Sequence, residues 1–467
     1  MWLKIFTILV VLQSSFLLHG LAQTGPPRPN PTITRIRPRP SLIPPGIKLM
    51  PRRPNNDPGP LANRDRILFI TQELKRNITY DPLGYTKTWV GDNYCLFKGF
   101  FCDVVPDLNI TGLSSIDFSG ARFGGPFLNF YRFIRNLPDI AIFHANSNNF
   151  TGVINRNINK LRFLYELDLS NNKFLGGFPG YVLGANKLAF VDFRFNTYNG
   201  SVPYRLFNID TDVLFINNNG FAGRIPQATF GNTPALYITL AGNKFTGPIP
   251  PTIGRAWRTL REVLFLRNRL SGCLPFEIGY LVKATVFDAN SNILTGPIPQ
   301  SLGCLFSLEI LNLANNQFYG AIPESLCRLP DVYNITLSNN YFTQIGPQCR
   351  KLVTAQRLHV QGNCLPGFRL QKTAAQCATF FSKPRSCPRA NTFNYVPCTL
   401  PTAANKAVVT SVEDMVPPSP RSETERKIHV RPCHLSLHGA LFSKLIRVHF
   451  SKNHLLVNSD KMDNAGL

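Results

Sequence analysis

An α/β solenoid made of about eleven copies of one coil of chain is the fold this sequence predicts, and three observations predict it. The stretch at 164–179, LYELDLSNNKFLGGFP, places Leu164, Leu167, Leu169, Asn172, Phe174, Gly176, Phe178 and Pro179 in the pattern L-x-x-L-x-L-x-x-N-x-L-x-G-x-I-P, with Phe standing for some aliphatics. The same pattern returns along residues 113–367. With the asparagine as register mark, its copies centre on Ala121, Asn148, Asn172, Asn196, Asn219, Asn243, Asn268, Asn292, Asn316, Asn340 and Asn363. The steps run from 23 to 27 residues and six of the ten are 24, so each copy makes one full turn of a stacked array.

The spacing within a copy explains the coil. Leu167 and Leu169 alternate with Asp168 at the period of a strand, so the apolar side chains face inward and the polar one outward. The asparagine amide can meet backbone groups that lose their partners where the chain leaves the strand. A single coil cannot bury its own apolar face, so stability must come from stacking on neighbours. That requirement extends to the ends, where a cap must cover the exposed cross-section.

Both caps are legible, with expected boundaries of 61–112 and 368–398. At the N-terminal end, RDRILFITQELKRN carries Ile67, Phe69, Ile70 and Leu74 near the helical period, with Asn63 or Asp65 placed to start a helix. A tryptophan and the close pair Cys95 and Cys102 follow. At the C-terminal end, Cys364, Cys377, Cys387 and Cys398 lie beyond the last copy. Two bridges are expected: Cys95 with Cys102, and Cys304 with Cys327, which fall twelve and eleven residues after their register marks and so should sit on adjacent coils.

The flanks are different in kind. Lys4 and the apolar run at 5–18 precede Gly20-Leu21-Ala22, the small-x-small pattern of a secretory cleavage site, so 1–22 is expected to be a signal peptide. Residues 23–60 are rich in proline and arginine and are expected to form an extended arm. Residues 399–467 contain no repeat, and Lys444 and Arg447 interrupt their one apolar tract, which argues against a transmembrane span. A disordered tail is expected there, and Cys433 within it has no obvious partner.

Secretion agrees with eleven cysteines and with sequons at Asn77, Asn109, Asn149, Asn199 and Asn334, the expected glycosylation positions. Net charge is +24, divided as +7 over 1–60, +14 over 61–398 and +3 over the remainder. Such a surplus can signal nucleic-acid binding, but a secreted chain does not meet nucleic acid, and none is expected as a partner. Histidines are scattered, no hydrolase, zinc-protease or phosphate-loop motif occurs, and the cysteine spacings suit bridges better than zinc. Catalysis, cofactors and metals are therefore not expected.

A surface remains as the functional candidate. The outward strand position, four residues before each register mark, reads Asp117, His144, Asp168, Asp192, Phe215, Thr239, Leu264, Asp288, Asn312, Thr336 and His359. Two residues further on, Asn146, Arg194, Asn217 and Asn290 form a second row, and Phe190, Phe195 and Phe215 add aromatic character. Asp117, His144, Asp168, Asp192, Arg194, Phe215, Asn217, Asp288 and Asn312 are the candidate binding residues on a concave face. Carboxylates would steer a basic peptide and aromatics would anchor it. The plain alternative is that these aspartates bond only one another and water.

The G-x-I-P form of the repeat, as in GFAGRIP, KFTGPIP, ILTGPIP and QFYGAIP, resembles the plant-type leucine-rich repeat. More narrowly, TWVGDNYCLFKGFFC, IAIFHANSNNF, LYELDLSNNKF, FVDFRFNTYNGSVP, LFINNNGF, SLCRLP, NCLPG and QCATFFSKPRSC are similar to the leucine-rich repeat extensins, chimeric proteins of the plant cell wall. The resemblance spans about 64–398. It implies a secreted wall protein whose repeat domain binds rapid alkalinisation factor peptides, small, basic and cysteine-containing, and contributes to wall assembly and cell expansion. Asp117, His144, Asp168, Asp192, Phe215 and Asp288 fall where the family shows the same residue types. The family's C-terminal half of serines followed by proline runs has no counterpart after Cys398, so the basic arm at 23–60 is the expected hold on acidic pectin. Two other readings stay open: a structural pectin-binding protein with the array as spacer, and an inhibitor of a wall-degrading enzyme such as polygalacturonase.

Overall fold

The computed structural model of the protein describes residues 60–105 and 110–398. The signal peptide, the arm up to its last residue, the tail with Cys433 and the sequon at Asn109 lie outside the described residues. From Arg64 onward the chain belongs to one compact unit.

Eleven strands, from Ile110–Asp117 to Leu358–His359, lie parallel in one sheet, and Phe100–Val105 adds a twelfth, antiparallel strand at its first edge. One parallel strand per register mark is the eleven-coil solenoid that the spacing predicts. Across the core, short strands from Thr151–Gly152 to Tyr341–Ile345 stack as a nine-stranded second sheet. The connections are 3-10 helical, such as Arg156–Lys160 and Gln300–Cys304, and among the described residues α-helices occur only towards the ends, at Pro60–Asn77, Pro347–Thr354 and Ala374–Phe381.

The residue before each register mark has a left-handed backbone, from Gly120 at φ 64 through Asn171 at φ 53 to Gly362 at φ 67. At Gly242 the need is doubled, because a Cβ there would meet Asn218 Oδ1 at 2.4 Å. This sharp turn ends each strand and strands backbone groups that the asparagine then satisfies. Asn172 Nδ2 donates to Ala145 O at 2.9 Å, to Leu169 O at 3.1 Å and to Ser170 O at 3.0 Å, while its Oδ1 accepts from Phe150 N–H at 3.0 Å. Two of these four bonds reach the preceding coil. The first coil has no predecessor to bond, so Ala121 suffices at its register position.

The core is one apolar cluster running the length of the array. Strand-centre residues Leu167, Val191, Leu214, Ile238, Val263, Phe287 and Leu311 enter it from the long sheet. Phe174, Tyr198, Phe221 and Phe245 enter it from the second, and Phe150 from just before that sheet's first strand. Tyr198 stacks between Phe174 and Phe221, with ring centroids 6.3 and 5.9 Å away and planes within 7°.

The N-terminal helix starts at Pro60, upstream of the caps read at Asn63 or Asp65, as proline's fixed φ permits in a first turn. It buries Ile67, Ile70 and Leu74. Trp89 is fully buried among Phe100, Phe118 and Phe123 at 5.4 to 6.0 Å, and its Nε1–H donates to Lys98 O. Cys95 and Cys102 are bridged.

The Cys304–Cys327 bridge does not form. Cys304 joins Cys398 and Cys327 joins Cys349, while Cys273 joins Cys387 and Cys364 joins Cys377. The physical reason is that the chain after Ala374–Phe381 turns back along the array as far as the seventh coil. Arg389 pairs with buried Glu277 at 2.7 Å, Gln300 N–H donates to Phe393 O, and Cys387 Sγ lies where a Cβ on Gly296 would be 2.4 Å away. This returning segment takes Cys304, and Cys327 finds its partner one coil further on.

Candidate functional site

The register of the long sheet brings the predicted row together. Asp117 pairs with His144, His144 with Asp168, Asp168 with Asp192 and Asp192 with Phe215; further along, Leu264, Asp288 and Asn312 continue it. All sit on the side of the sheet opposite the strand-centre residues of the core.

A local cause selects aspartate at this position. Where the strand ends, the N–H two residues on has no ladder partner, and Asp117, Asp168, Asp192 and Asp288 each accept it through Oδ1 at 2.9 to 3.0 Å. Half of each carboxylate thus serves the turn. Asp168, Asp192 and Asp288 are also buried, which departs from a line of freely exposed charges.

What the second oxygen meets differs from coil to coil. Asp168 Oδ2 accepts from Asn146 Nδ2 at 2.7 Å. Asp288 Oδ2 accepts from Asn312 Nδ2 at 3.1 Å, and its Oδ1 takes a further bond from Asn290 Nδ2 at 2.8 Å. Asp192 Oδ2 lies 2.8 Å from Arg194 Nε, but the N–H is not aimed at it, and neither atom has a hydrogen-bond partner among the described residues. Burial pushes Asp192 up from 3.8 to about 7, against the lowering pull of Arg194, and Asp288 up to about 6, against its amide donors. Burial lowers the His144 imidazole, yet its bond to Glu166 and the nearby carboxylates prevail and leave it above its usual value.

Three further acceptors on this face lack partners among the described residues: Asn146 Oδ1, Asn217 Oδ1 and, on the tenth coil, Asn334 Oδ1. The Asn146 amide is oriented by its donation to Asp168, so its oxygen is the free end. On the fourth and fifth coils Arg194 lies over the Phe215 ring at 5.3 Å, and Phe215 meets Phe190 edge to face at 6.3 Å. Phe195 is the left-handed residue of its coil and belongs to the turn.

Of one further row, two residues before the first, sequence reasoning named only Phe190 as part of the surface. There Glu166 holds His144 Nε2 at 2.9 Å, and Phe190 and Tyr237 are half-buried. The same period-two rule would have found the whole row, since its members precede the strand-centre core residues as the aspartates follow them. Asn334 also lies in this row. Among the described residues no three His, Cys, Asp or Glu side chains gather as a metal would need, and no helix is long and apolar enough to cross a membrane.

The family model described as Leucine Rich Repeat matches residues 163–184 and 307–329. Leucine-rich repeat extensin-like protein 6 of Arabidopsis thaliana is 41% identical over 334 residues, 70% of this chain and 69% of the relative. The chain belongs to the leucine-rich repeat extensin-like family. A longer member, leucine-rich repeat extensin-like protein 2 of Arabidopsis thaliana, is 37% identical over 47% of this chain, but that match covers 28% of the relative's own length. Among solved structures, a plant ice-binding protein matches 67% of this extensin-like chain and 98% of its own, at 24% identity and a TM-score of 0.52, a likeness of fold.

Proposed function

We propose that the protein works outside the cell, in the plant wall, as a non-enzymatic receptor for a basic, cysteine-containing signalling peptide of the rapid alkalinisation factor type. The peptide docks on the open face of the first five coils. One observation carries this reading: Asn146 Oδ1, Asp192 Oδ2 and Asn217 Oδ1, on the second, fourth and fifth coils of one face, are all acceptors, all buried and all without a donor among the described residues. Buried polar atoms are ordinarily bonded, so a run of acceptors without donors suits a ligand rich in N–H groups and positive charge. Glu166 and Asp117 add charge at the same end, and Phe190 and Phe215 offer an aromatic anchor.

The role in wall assembly and growth follows from holding such a signal in place, and pectin contact through 23–60 belongs to the same proposal. Titrating the secreted chain with a basic alkalinisation peptide tests the core of it. Submicromolar binding is expected, weakened about tenfold or more by Asp192→Asn and falling with added salt. Affinity should rise with pH through about 7, as the Asp192 carboxyl ionises. No binding, or binding indifferent to Asp192, would remove the proposed site.

A further inference from the structure

Away from the ladder, a groove of about 650 Å3 opens between the helix Pro60–Asn77 and the first coil's descending loop. Its size is that of ligand clefts, roughly 300–1,000 Å3. Phe127 and Tyr131 stand in it 74% and 50% exposed, and Val153 is 50% exposed, a cluster of apolar surface that the fold itself leaves in water. Two arginines line it, Arg76 and Arg132, and one carboxylate, Glu73, which lies 3.4 Å from Arg132, so the lining keeps one net positive charge. Exposed rings beside polar side chains suit a sugar, whose C–H face stacks on an aromatic while its hydroxyls bond at the edge.

Asn77, first residue of the sequon Asn77-Ile78-Thr79, is itself one of the residues that line the groove. The backbone fixes that residue against the aromatic wall. Thr79 and Tyr80 N–H both donate to Gly124 O at 2.9 Å, Gly124 N–H returns a bond to Tyr80 O, and a Cβ on Gly125 would stand 2.0 Å from Asn77 O. Asn129 then ties down the backbone that carries both rings, accepting from Tyr131 N–H and donating to Phe127 O, each at 3.0 Å. The tether point and the stacking surface are thus one rigid piece.

We propose that this groove seats an N-glycan carried on Asn77, with its first sugars lying on Phe127 and Tyr131. In forming it, Asn77 Nδ2 loses a proton and bonds C1 of the first sugar, and the lipid diphosphate that carried the oligosaccharide departs. The inference rests on the secretory route of the proposed function but not on the peptide face, so either can fail alone.

The test uses the full chain secreted from cultured eukaryotic cells. Peptide mapping is expected to show Asn77 occupied. In the folded protein a glycan-releasing amidase is expected to clear exposed Asn199 several-fold faster than Asn77. Phe127→Ser with Tyr131→Ser should bring the two rates together. Removing the sequon by Asn77→Gln or by Thr79→Ala should lower Tm by about 2 °C, and by nothing in the Phe127/Tyr131 variant. A bare Asn77, or equal release rates in the unmutated protein, overturns the proposal; so does binding of a soluble acidic oligosaccharide by the Thr79→Ala protein at this groove, because the groove would then serve a different sugar.

Discussion

Asp192 and Asp288 occupy the same register position, four coils apart on one sheet, and both are buried. Asp288 receives three N–H donors from Asn290 and Asn312. Asp192 receives one, from Arg194 N–H, and keeps Oδ2 unbonded among the described residues. The surroundings differ to match. Around Asp288 the face is apolar, with Leu264, Leu266, Val286 and Ile310, and the coils behind it are clamped by Cys273–Cys387 and Cys304–Cys398. Around Asp192 it is polar and aromatic, and no bridge among the described residues holds coils two to six. One residue type at one repeat position is therefore bonded through both oxygens at Asp288, as it is at Asp168, and through only one at Asp192.

Cutting the clamp should give the largest effect. Cys304→Ser with Cys398→Ser opens a loop of 94 residues and should cost about 4–5 kcal/mol. Hydrogen exchange should report the loss in the seventh to tenth coils and spare the second to fifth; uniform loss would mean that the two halves are not separately held.

Next comes pH. Asp192 and Asp288 titrate in the folded chain at about 7 and about 6, above their unfolded value of 3.8, and His144 is raised as well. Groups shifted upward contribute stability that is complete below the unfolded pKa and lost as pH rises through the folded one. Thermal stability should therefore fall between about pH 4 and 7 as the two carboxyls ionise, by about 4 kcal/mol from Asp192, and His144 adds its loss only above 6.5. Asp192→Asn should flatten most of that slope; an unchanged slope would place the titration elsewhere.

Asp288→Ala comes third. It leaves three donors without their acceptor and should destabilise the protein by about 2 kcal/mol, measured by denaturant unfolding. Asp192→Asn at pH 7 should instead leave stability equal or higher while weakening the peptide. The smallest change is Tyr198→Phe. The Tyr198 hydroxyl is buried without a hydrogen-bond partner among the described residues, so its removal should stabilise by about 1 kcal/mol; a loss would reveal a bond that the stacked rings conceal.

The coil could be read without coordinates because its causes are local and repeated. Leu167, Asp168, Leu169 and Asn172 state strand, face and turn within six residues, and eleven repetitions remove the ambiguity of any one. Trp89 and the Cys95–Cys102 pair announced the N-terminal cap for the same reason, being close in sequence to what they cover. The row of aspartates was legible too, since period two alone puts them on the open face.

Which of those carboxylates remain available was not legible. That depends on whether a neighbouring coil supplies an amide, as Asn312 does for Asp288, or an arginine aimed past the oxygen, as at Asp192. Nor could spacing reveal that 385–398 runs back to take Cys273 and Cys304, because loop closure across 94 or 114 residues leaves no periodic trace. Repetition along the chain determined the array, its register and its outward row by itself, since neighbouring residues specify each coil. Hydrogen-bond satisfaction and disulfide pairing were decided by contacts between coils, which exist only once the chain has folded.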